Sequence, residues 1–173
     1  NNNFDKIRSN FRKSYKPLIN KYISKYKCEF LNKDDYKKYN LLKKLHKKVS
    51  GKSTRKKITW DIHFNAISEK KSFVVTLKDD NNILIAGAIF LYSNLECNYA
   101  VGVYDRNLNN LPLGHIIQYH AIRYMLEKNI SKYYIIGPQL SHSKKADKKN
   151  KEISNFKKGF SKEYLARYLV KIN

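Results

Sequence analysis

The amino-acid sequence predicts an α/β domain in which a mixed, mainly antiparallel central sheet is flanked by helices. Two alternating apolar runs, Phe73 to Leu77 and Ile83 to Tyr92, are separated by the turn-forming residues 79–82. A third apolar run, Glu96 to Val103, follows after a short turn. Downstream, the residue pattern indicates a helix, a short strand and a second small helix. We therefore expect three consecutive antiparallel strands, then a helix and a further strand.

The composition indicates one globular domain with a large excess of positive charge. The chain has 173 residues, of which 42% are apolar, enough to form a core. Its formal charge is +22, from 36 Lys and Arg against 14 Asp and Glu. Such a charge attracts nucleic acid, nucleotides and acidic lipids. The alternative is that the lysines only solvate the surface, because basic runs alone are weak signs of nucleic-acid binding.

The start of the chain and its cysteines bear on domain organisation and location. We expect residues 1–70 to be a basic helical segment packed on a core of residues 71–173. The chain starts without Met, and we expect it to be the C-terminal part of a longer protein. Cys28 and Cys97 are too few and too far apart for a metal site or a disulfide framework. No apolar run approaches the roughly 20 residues that cross a bilayer, so we expect a cytoplasmic protein without a transmembrane segment.

Three helices are predicted in the first third of the chain. Apolar residues at helical spacing run from Phe4 to Ile23, with a break near Ser14 to Pro17 because proline disfavours helix at the residue before it. The second helix begins near Asn32 to Asp35 and ends at Gly51, and the third runs from about Thr59 to Ser68. We expect these helices to dock on the domain, although a basic amphipathic helix can also bind membranes or RNA.

The loop after the second helix carries small and basic residues that suit an anion. His46 lies in the last turn of that helix, and the loop is Ser50-Gly-Lys-Ser-Thr-Arg55. The letters Gly-Lys-Ser do not form a Walker motif, because His46 stands where the first glycine belongs and a helix, not a strand, leads in. We predict that His46 and Arg55 bind substrate, while a lone His beside an apolar stripe can equally be structural.

The most informative segment is the corner where the third strand ends and the next helix begins. The strand Glu96 to Val103 leads into a polar loop, and a proline starts the helix that follows. The first N–H groups of a helix lack partners within it. Those of Leu113, Gly114 and His115 should therefore be available to a phosphate or an oxyanion, and we place the chemistry at this corner.

The remaining elements follow in order. The helix after the corner extends to about Asn129, and Tyr133 to Gly137 is predicted as the next strand. The segment Lys151 to Phe160 is predicted to form the second small helix. A last apolar strand, about Tyr164 to Ile172, should close the sheet.

Five stretches of the chain resemble known sequence motifs, and the order of the predicted elements resembles that of the GNAT acyltransferase fold. They are Ala86-Gly-Ala88, Tyr99 to Arg106, Pro112-Leu-Gly-His115, Tyr134-Ile-Ile-Gly137 and Ile153-Ser-Asn-Phe-Lys-Lys-Gly-Phe160. The last resembles the habitual I-x-x-F-K-x-G-F of the FemAB-type branch and is the most specific signal. Two stretches depart from the superfamily pattern. The phosphate loop is not the glycine-rich Q/R-x-x-G-x-G/A of acetyl-CoA-dependent members, and Ile136-Gly137 replaces an acidic D-x-G.

The resemblance implies an N-acyltransferase or aminoacyltransferase acting in cell-envelope biosynthesis. The FemAB-type branch draws aminoacyl groups from charged tRNA and builds peptidoglycan cross-bridges, which implies an amine-bearing glycan or peptide as acceptor and tRNA as a possible partner. No tightly bound cofactor is implied, and acyl-CoA or aminoacyl-tRNA would serve as co-substrate. The alternative is a catalytically inactive domain of this fold that binds RNA or another polyanion.

Within the implied chemistry, each candidate residue has a role and a simpler alternative. Asp105 and His115 are the titratable groups nearest the corner and are the candidates for proton transfer. Asp105 can instead pair with Arg106, and His115 can merely fill a helical turn. Arg106 suits a phosphate because its guanidinium is always charged and forked. The predicted donor-binding residues are Arg106, Leu113, Gly114 and Lys157. The predicted substrate-binding residues are His46, Arg55, Tyr104 and Tyr119.

Overall fold

The structure is a computed structural model that describes residues 4–130, 133–135 and 147–163. The chain forms two compact units, residues 1–16 together with 138–173, and residues 17–137. The described sheet lies in the second unit. The division of the chain at residue 70 remains a prediction.

The helices follow the predicted spacing closely. The α-helices are α1 (Phe4–Ser9), α2 (Tyr15–Tyr22), α3 (Tyr36–Ser50), α4 (Lys57–Ser68), α5 (Leu113–Glu127) and α6 (Lys148–Lys158), and 3-10 helices occupy Ile23–Lys25 and Arg106–Leu108. The predicted break near Pro17 is present between α1 and α2, and Pro17 itself lies in the first turn of α2, where a missing N–H is tolerated. Gly51 ends α3 with a left-handed φ of 72°, as predicted.

The described strands lie side by side in chain order. They are β1 (Lys27–Leu31), β2 (Ser72–Lys78), β3 (Leu84–Tyr92), β4 (Glu96–Tyr104) and β5 (Tyr133–Ile135). Each of the first three strands is antiparallel to the next, whereas β4 is parallel to β5. The mixed, mainly antiparallel sheet is therefore confirmed. The antiparallel pairing of β3 with β4 follows the sequence prediction.

The strand β1 was not predicted from the sequence. Its residues, Lys27-Cys-Glu-Phe-Leu31, alternate polar and apolar over only four positions, which is too short a pattern to stand out between two helical segments. It forms because it pairs with β2, with Cys28 opposite Leu77 and Phe30 opposite Val75. Residues 1–70 therefore contribute an edge strand to the sheet as well as helices.

One side of the sheet, here called the α3 face, is covered by α3 and α4. Gly87 lies on this side, because a Cβ added to it would lie 2.5 Å from Leu42 Cδ1. Ile89 and its partner Val101 share the face with Gly87, since residues two apart on a strand point the same way. Its buried core consists of Leu31, Tyr39, Leu42, Leu45, Trp60, Phe64, Val74, Ile89, Val101 and Val103.

The other side of the sheet, here called the α5 face, is covered by α5 and is largely aromatic. Phe73 and Phe90, partners on β2 and β3, stack with ring centroids 4.7 Å apart. Tyr124 of α5 packs on Phe73 at 5.0 Å and on Phe30 of β1 at 4.2 Å. The ring contacts fix the helix over the middle strands.

The unit formed by the chain ends is organised around Tyr15. Its ring packs on Phe156 and Phe160, with centroids 6.4 and 5.1 Å away, and its hydroxyl donates to Phe156 O. Arg12 donates to both the carbonyl and the side-chain oxygen of Asn155. The two phenylalanines of the I-x-x-F-K-x-G-F segment are thus packing residues of this unit.

Some expectations fall outside the described residues. The predicted closing strand, Tyr164 to Ile172, is among them, and so are the last two residues of the predicted strand Tyr133 to Gly137. In the part of the chain that is described, no helix is both long and apolar enough to cross a membrane.

Candidate functional site

The strand-end corner is held by Asp105, the residue that follows β4. Its carboxylate accepts from Asn107 N at 3.0 Å and thereby caps the 3-10 helix Arg106–Leu108. Lys48 Nζ of α3 lies 3.3 Å from the same carboxylate. These two contacts, led by the Asn107 hydrogen bond, lower the pKa of Asp105. The predicted alternative of an ion pair with Arg106 is replaced by one with Lys48, so the corner is fastened to α3.

The other corner residues surround the start of α5. Arg106 is exposed on the 3-10 helix. Leu113 is buried and Gly114 half-buried in the first helical turn, where backbone N–H groups have no partner within the helix. The expectation for His115 needs correction, because its N–H donates to Pro112 O at 2.9 Å. An anion at this helix end would therefore meet the N–H groups of Leu113 and Gly114.

A β-bulge in β4 brings two tyrosines onto the α5 face. Ile89 pairs with Val101 and Phe90 with Tyr99, so Ala100 is the extra residue of β4. Without the bulge, Tyr99 and Tyr104 would point to opposite faces, because they are five positions apart. With it, their hydroxyl groups form a hydrogen bond. Tyr104, predicted to bind substrate, thus acts as half of a pair.

A third hydroxyl group lies on the same face, on β5. Tyr134 donates its O–H to Gln118 Oε1 of α5. Tyr134 and Tyr99 both pack against Phe90, with ring centroids 6.0 and 5.5 Å away. Gln118 is fully buried, and its Nε2 has no hydrogen-bond partner among the described residues. We call Tyr99, Tyr104, Gln118 and Tyr134 the hydroxyl cluster.

The cluster tyrosines keep their protons at neutral pH. Burial of its hydroxyl raises the pKa of Tyr99 to about 12, against a smaller lowering by the bond to Tyr104. Burial is also the first cause that raises the pKa values of Tyr104 and Tyr134. All three groups are therefore hydrogen-bond donors under physiological conditions, not bases.

A separate pocket of about 370 Å³ opens beside α3. Its wall contains lysines and its floor is Trp60, which is buried. The lining residues are Asn40, Lys43, Lys44, His46, Lys47, Ser53, Thr54 and Trp60. Because the charged groups are all cationic, the pocket suits a ligand with an anionic group and an apolar or planar part.

The structure brings two predicted substrate residues together, since His46 lines the pocket and Arg55 contacts His46. Arg55 Nη1 lies 3.2 Å from His46 Nε2, and the His46 ring packs edge-on to Trp60 at 5.2 Å. Since Arg only donates, Nε2 of His46 accepts. Burial and then the Arg55 charge lower the pKa of His46, so it stays neutral near pH 7. His46 orients Arg55 and is poorly placed to carry a charge itself.

The other two predicted residues belong to α5 and α6. Tyr119 of α5 packs edge-on against His120, with centroids 5.7 Å apart. Lys157 belongs to α6, in the unit formed by the chain ends, where burial lowers its pKa. The roles predicted for Tyr119 and Lys157 remain predictions.

Sequence reasoning missed three members of the hydroxyl cluster as site residues. The sequence pattern places Tyr99 at an ordinary strand position and Gln118 at an ordinary helix position. It places Tyr134 in a short apolar strand. The useful signal was the polar Gln118 within an otherwise apolar stripe of α5. Nothing in the sequence marked the bulge, which is what pairs Tyr99 with Tyr104.

Solved structures similar to this chain share its fold. FemX is 13% identical with a TM-score of 0.69, over 91% of this chain and 56% of that one, so this chain spans just over half of FemX. An aminoglycoside acetyltransferase from an uncultured soil metagenomic sample, in complex with sisomicin, is 13% identical with a TM-score of 0.65, over 88% and 99%. A predicted acetyltransferase from Clostridium acetobutylicum, with acetyl-CoA, is 9% identical with a TM-score of 0.56, over 86% and 96%.

A family comparison covers nearly the whole chain. The model of the FemAB family matches residues 3–168, which include both described units. No curated protein sequence matches the chain. The match agrees with the strand order, the parallel β4 and β5, and the resemblance of the 153–160 segment. The chain therefore belongs to the FemAB family, and it is an acyltransferase-type enzyme with a GNAT-like fold.

Proposed function

We propose that this enzyme transfers an acyl or aminoacyl group to an amine of a cell-envelope glycan or peptide, with the donor bound at the corner from Asp105 to His115. Membership of the FemAB family supports the transfer reaction and the kind of acceptor. The observation that supports this donor site is the Lys48–Asp105 ion pair, which joins the basic helix α3 to the end of β4. The proposed location in the cell is the cytoplasm, where either donor is made.

The donor side of the proposal rests on groups that suit phosphate. Arg106 is exposed, and the positive end of α5 presents the first-turn N–H groups of Leu113 and Gly114. Both donors carry phosphate: acyl-CoA at the far end of the pantetheine arm from the acyl group, and aminoacyl-tRNA on the terminal nucleotide that carries the acyl group. Acyl-CoA is supported by the likeness to an acetyltransferase with acetyl-CoA. Aminoacyl-tRNA is supported by the resemblance to the FemAB-type branch.

The acceptor side rests on the pocket beside α3. Lys43, Lys44 and Lys47 would attract carboxylate or phosphate groups of a glycan or peptide, while Trp60 offers an apolar floor. Arg55, oriented by His46, can hold one such group. Attraction of this kind would concentrate a negatively charged acceptor at the protein.

The proposed reaction needs a proton acceptor for the attacking amine. Asp105 is a weak candidate, because its two contacts keep the carboxylate ionised and lower its basicity. We assign Asp105 a positioning role, in which it holds the corner to Lys48. His115, half-buried in the first turn of α5, is then the proposed base.

The first experiment asks which donor binds. A ligand that binds only the folded state stabilises it, by about 2.7 kcal/mol at a hundred times its Kd. We expect the melting temperature to rise with either acetyl-CoA or an aminoacyl-tRNA and to be unchanged by deacylated tRNA fragments that lack the acceptor end. A chain that neither donor stabilises, and that shows no turnover with either, contradicts the proposal.

The second experiment asks where the donor binds. Arg106→Ala should weaken donor binding by roughly 1.5 to 3 kcal/mol, because a charge-assisted hydrogen bond is lost. Arg123→Ala is the matched control, since it removes the same charge from the other end of α5, where Arg123 pairs with Glu127. Equal losses in the two variants would indicate a general charge effect and place the donor elsewhere.

A second candidate function is polyanion binding without catalysis, which the charge of +22 favours. Replacing Lys43, Lys44 and Lys47 with Gln should flatten the dependence of tRNA affinity on salt. The control variant changes Lys33, Lys37 and Lys128, exposed lysines that do not line the pocket. A protein that binds tRNA through the pocket but transfers nothing from any donor supports this second function over the first.

A further inference from the structure

The hydroxyl cluster contains a fully buried donor without an acceptor. Gln118 is 0% exposed, its Oε1 accepts from Tyr134, and its Nε2 has no partner among the described residues. Leaving a buried amide donor unpaired costs about 1 to 3 kcal/mol. In the bond from Tyr134, Oε1 is the end of the amide that is used. The two N–H bonds of Nε2 are therefore available to an acceptor on a ligand.

The tyrosine pair adds a second unused donor. In the bond between the hydroxyls of Tyr99 and Tyr104, one oxygen donates and the other accepts. The accepting hydroxyl keeps its own O–H, for which the described part of the chain provides no acceptor. The cluster therefore holds more donors than it can pair, and a ligand that completes it must supply oxygen lone pairs.

The backbone beside the cluster is shaped around the tyrosine pair. Gly102 is exposed, and a Cβ placed on it would lie 2.5 Å from the ring carbon of Tyr99 that carries the hydroxyl and 3.1 Å from the Tyr104 hydroxyl. Only glycine leaves room there for the tyrosine pair. Two residues earlier along the strand, the bulge at Ala100 interrupts the ladder, and bulges are frequent beside active sites.

We propose that the hydroxyl cluster binds the carbonyl oxygen of the acyl group being transferred, with Gln118 Nε2 and the unpaired O–H of the Tyr99–Tyr104 pair as the hydrogen-bond donors. This inference rests on the proposed acyl transfer and adds the residues that hold the reacting carbonyl. Tyr134 is a positioning residue, because it acts through Gln118. The high pKa values of the three phenols keep every donor protonated.

The cluster stabilises charge and transfers no proton. The amine nitrogen forms a bond to the carbonyl carbon while the carbonyl electron pair moves onto oxygen, where the donors meet the developing negative charge. The C=O bond then re-forms as the bond to the leaving sulfur or ribose oxygen breaks. The proton lost by nitrogen ends on that leaving group. The products are an amide and a thiol or a hydroxyl, so atoms and electrons balance.

Two probes distinguish the possible sources of the carbonyl. One is acetyl-CoA labelled with carbon-13 at the thioester carbonyl, and the other is 3′-O-alanyl-adenosine labelled at the ester carbonyl. Binding of each is measured by calorimetry without an amine acceptor. The carbonyl stretching frequency of the bound probe is then measured by isotope-edited infrared difference spectroscopy. Hydrogen bonds to the oxygen lower that frequency, which a merely structural role of the cluster would not do.

Paired substitutions remove donors without creating new unpaired groups. Tyr99→Phe with Tyr104→Phe removes one pair, and Gln118→Leu with Tyr134→Phe removes the other, since replacing both partners of a hydrogen bond is nearly neutral for stability. The single variant Gln118→Leu is included in case a double variant does not fold. Tyr124→Phe is the matched control, because it deletes a hydroxyl from the α5 face outside the cluster.

We expect one probe to bind to the native protein with a lowered carbonyl frequency. That shift should shrink in each cluster variant and remain in Tyr124→Phe, and kcat with the same donor class should fall by roughly 10²-fold. If a probe binds and its carbonyl frequency is the same in native protein and all variants, the cluster does not hold the carbonyl, and the proposed transfer still stands. If neither probe binds, the donor proposal fails, and this inference fails as well because it rests on that proposal.

Discussion

The two faces of the sheet are formed by the same strands but differ in the polar groups that are buried in them. The α3 face is filled with aliphatic and aromatic side chains, and its central hydroxyl, that of Tyr39, donates to Trp60 O at 2.8 Å. The α5 face has a comparable aromatic core but places Gln118 within it, with an amide nitrogen that no described residue accepts from. Natural proteins break packing and pairing rules mainly where function requires it. The comparison teaches that both faces have a packed core, and that the unpaired amide donor of Gln118 is the reason for placing the proposed chemistry on the α5 face.

The largest expected effect tests whether the α3 face carries the stability. Leu42 is 0% exposed and touches the strand at Gly87. Leu42→Ala should lower the free energy of unfolding by about 2 to 5 kcal/mol, because a cavity remains in a packed core. Urea denaturation measures it. Leu41→Ala, at a neighbour that is 48% exposed, is the control and should stay within about 0.5 kcal/mol. Similar losses for both would contradict the assignment of the core to this face.

The two strand glycines sharpen the comparison, one on each face. Gly87→Ala should cost about 1 to 3 kcal/mol, because the new Cβ would lie 3.1 Å from Val75 O, a backbone atom that cannot move away easily. Gly102→Ala should cost less, since it displaces the end of the Tyr99 side chain, but it should lower turnover. Thermal melts and steady-state rates on both variants decide. A Gly102→Ala enzyme with full activity would argue against the face assigned to chemistry.

The α5 helix should also carry an acid sensitivity. Burial, together with a smaller effect of the Arg123 charge, lowers the pKa of His120 from 6.5 to about 4. Because the unfolded chain binds the proton first, the folded state loses stability as pH falls from about 6.5 toward 4, by roughly 1 to 2 kcal/mol after allowance for partial exposure. His120→Gln should remove this component from the pH dependence of urea midpoints. Identical pH profiles for the two proteins would contradict it.

The smallest effect concerns the link between α3 and the strand end. The pKa of Asp105 is lowered by Asn107 N–H and Lys48. Its stabilisation is therefore present above the ordinary value near 3.8 and is lost as pH falls through the lower folded value. Asp105→Asn should cost about 0.2 to 1 kcal/mol near neutral pH and nothing in strong acid. Lys48→Gln should reproduce much of that cost, and a cost independent of pH would exclude the ion pair as its origin.

Much of the fold could be predicted because its patterns are local. The runs of β2, β3 and β4 alternate or are continuously apolar, and the stripe of α5 repeats with helical period. The strand β1 could not be predicted, because its pattern is weak and its partner is more than forty residues away in the chain. Tertiary pairing, not local preference, decides such a strand.

The site was predictable only where residue type alone implies chemistry. His46 and Arg55 were expected near an anion and do meet at a basic pocket. The partner of Asp105 was expected to be Arg106 and is Lys48, which comes from a helix whose packing the sequence does not reveal. Tyr99 and Tyr104 meet only because one residue of β4 bulges. A shift of register by one residue changes every contact and leaves no mark in composition.

The bulge gives β4 an unusual tolerance to loss of a residue. In a regular strand, deletion of one residue sends every side chain on one side of the cut to the opposite face. Here Ala100 is surplus to the pairing, since Tyr99 already faces Phe90 and Val101 faces Ile89. Removing Ala100 would straighten the strand and leave each neighbouring side chain on its present face. Loss of one residue at this position would therefore change the bend of β4 while both cores keep their side chains.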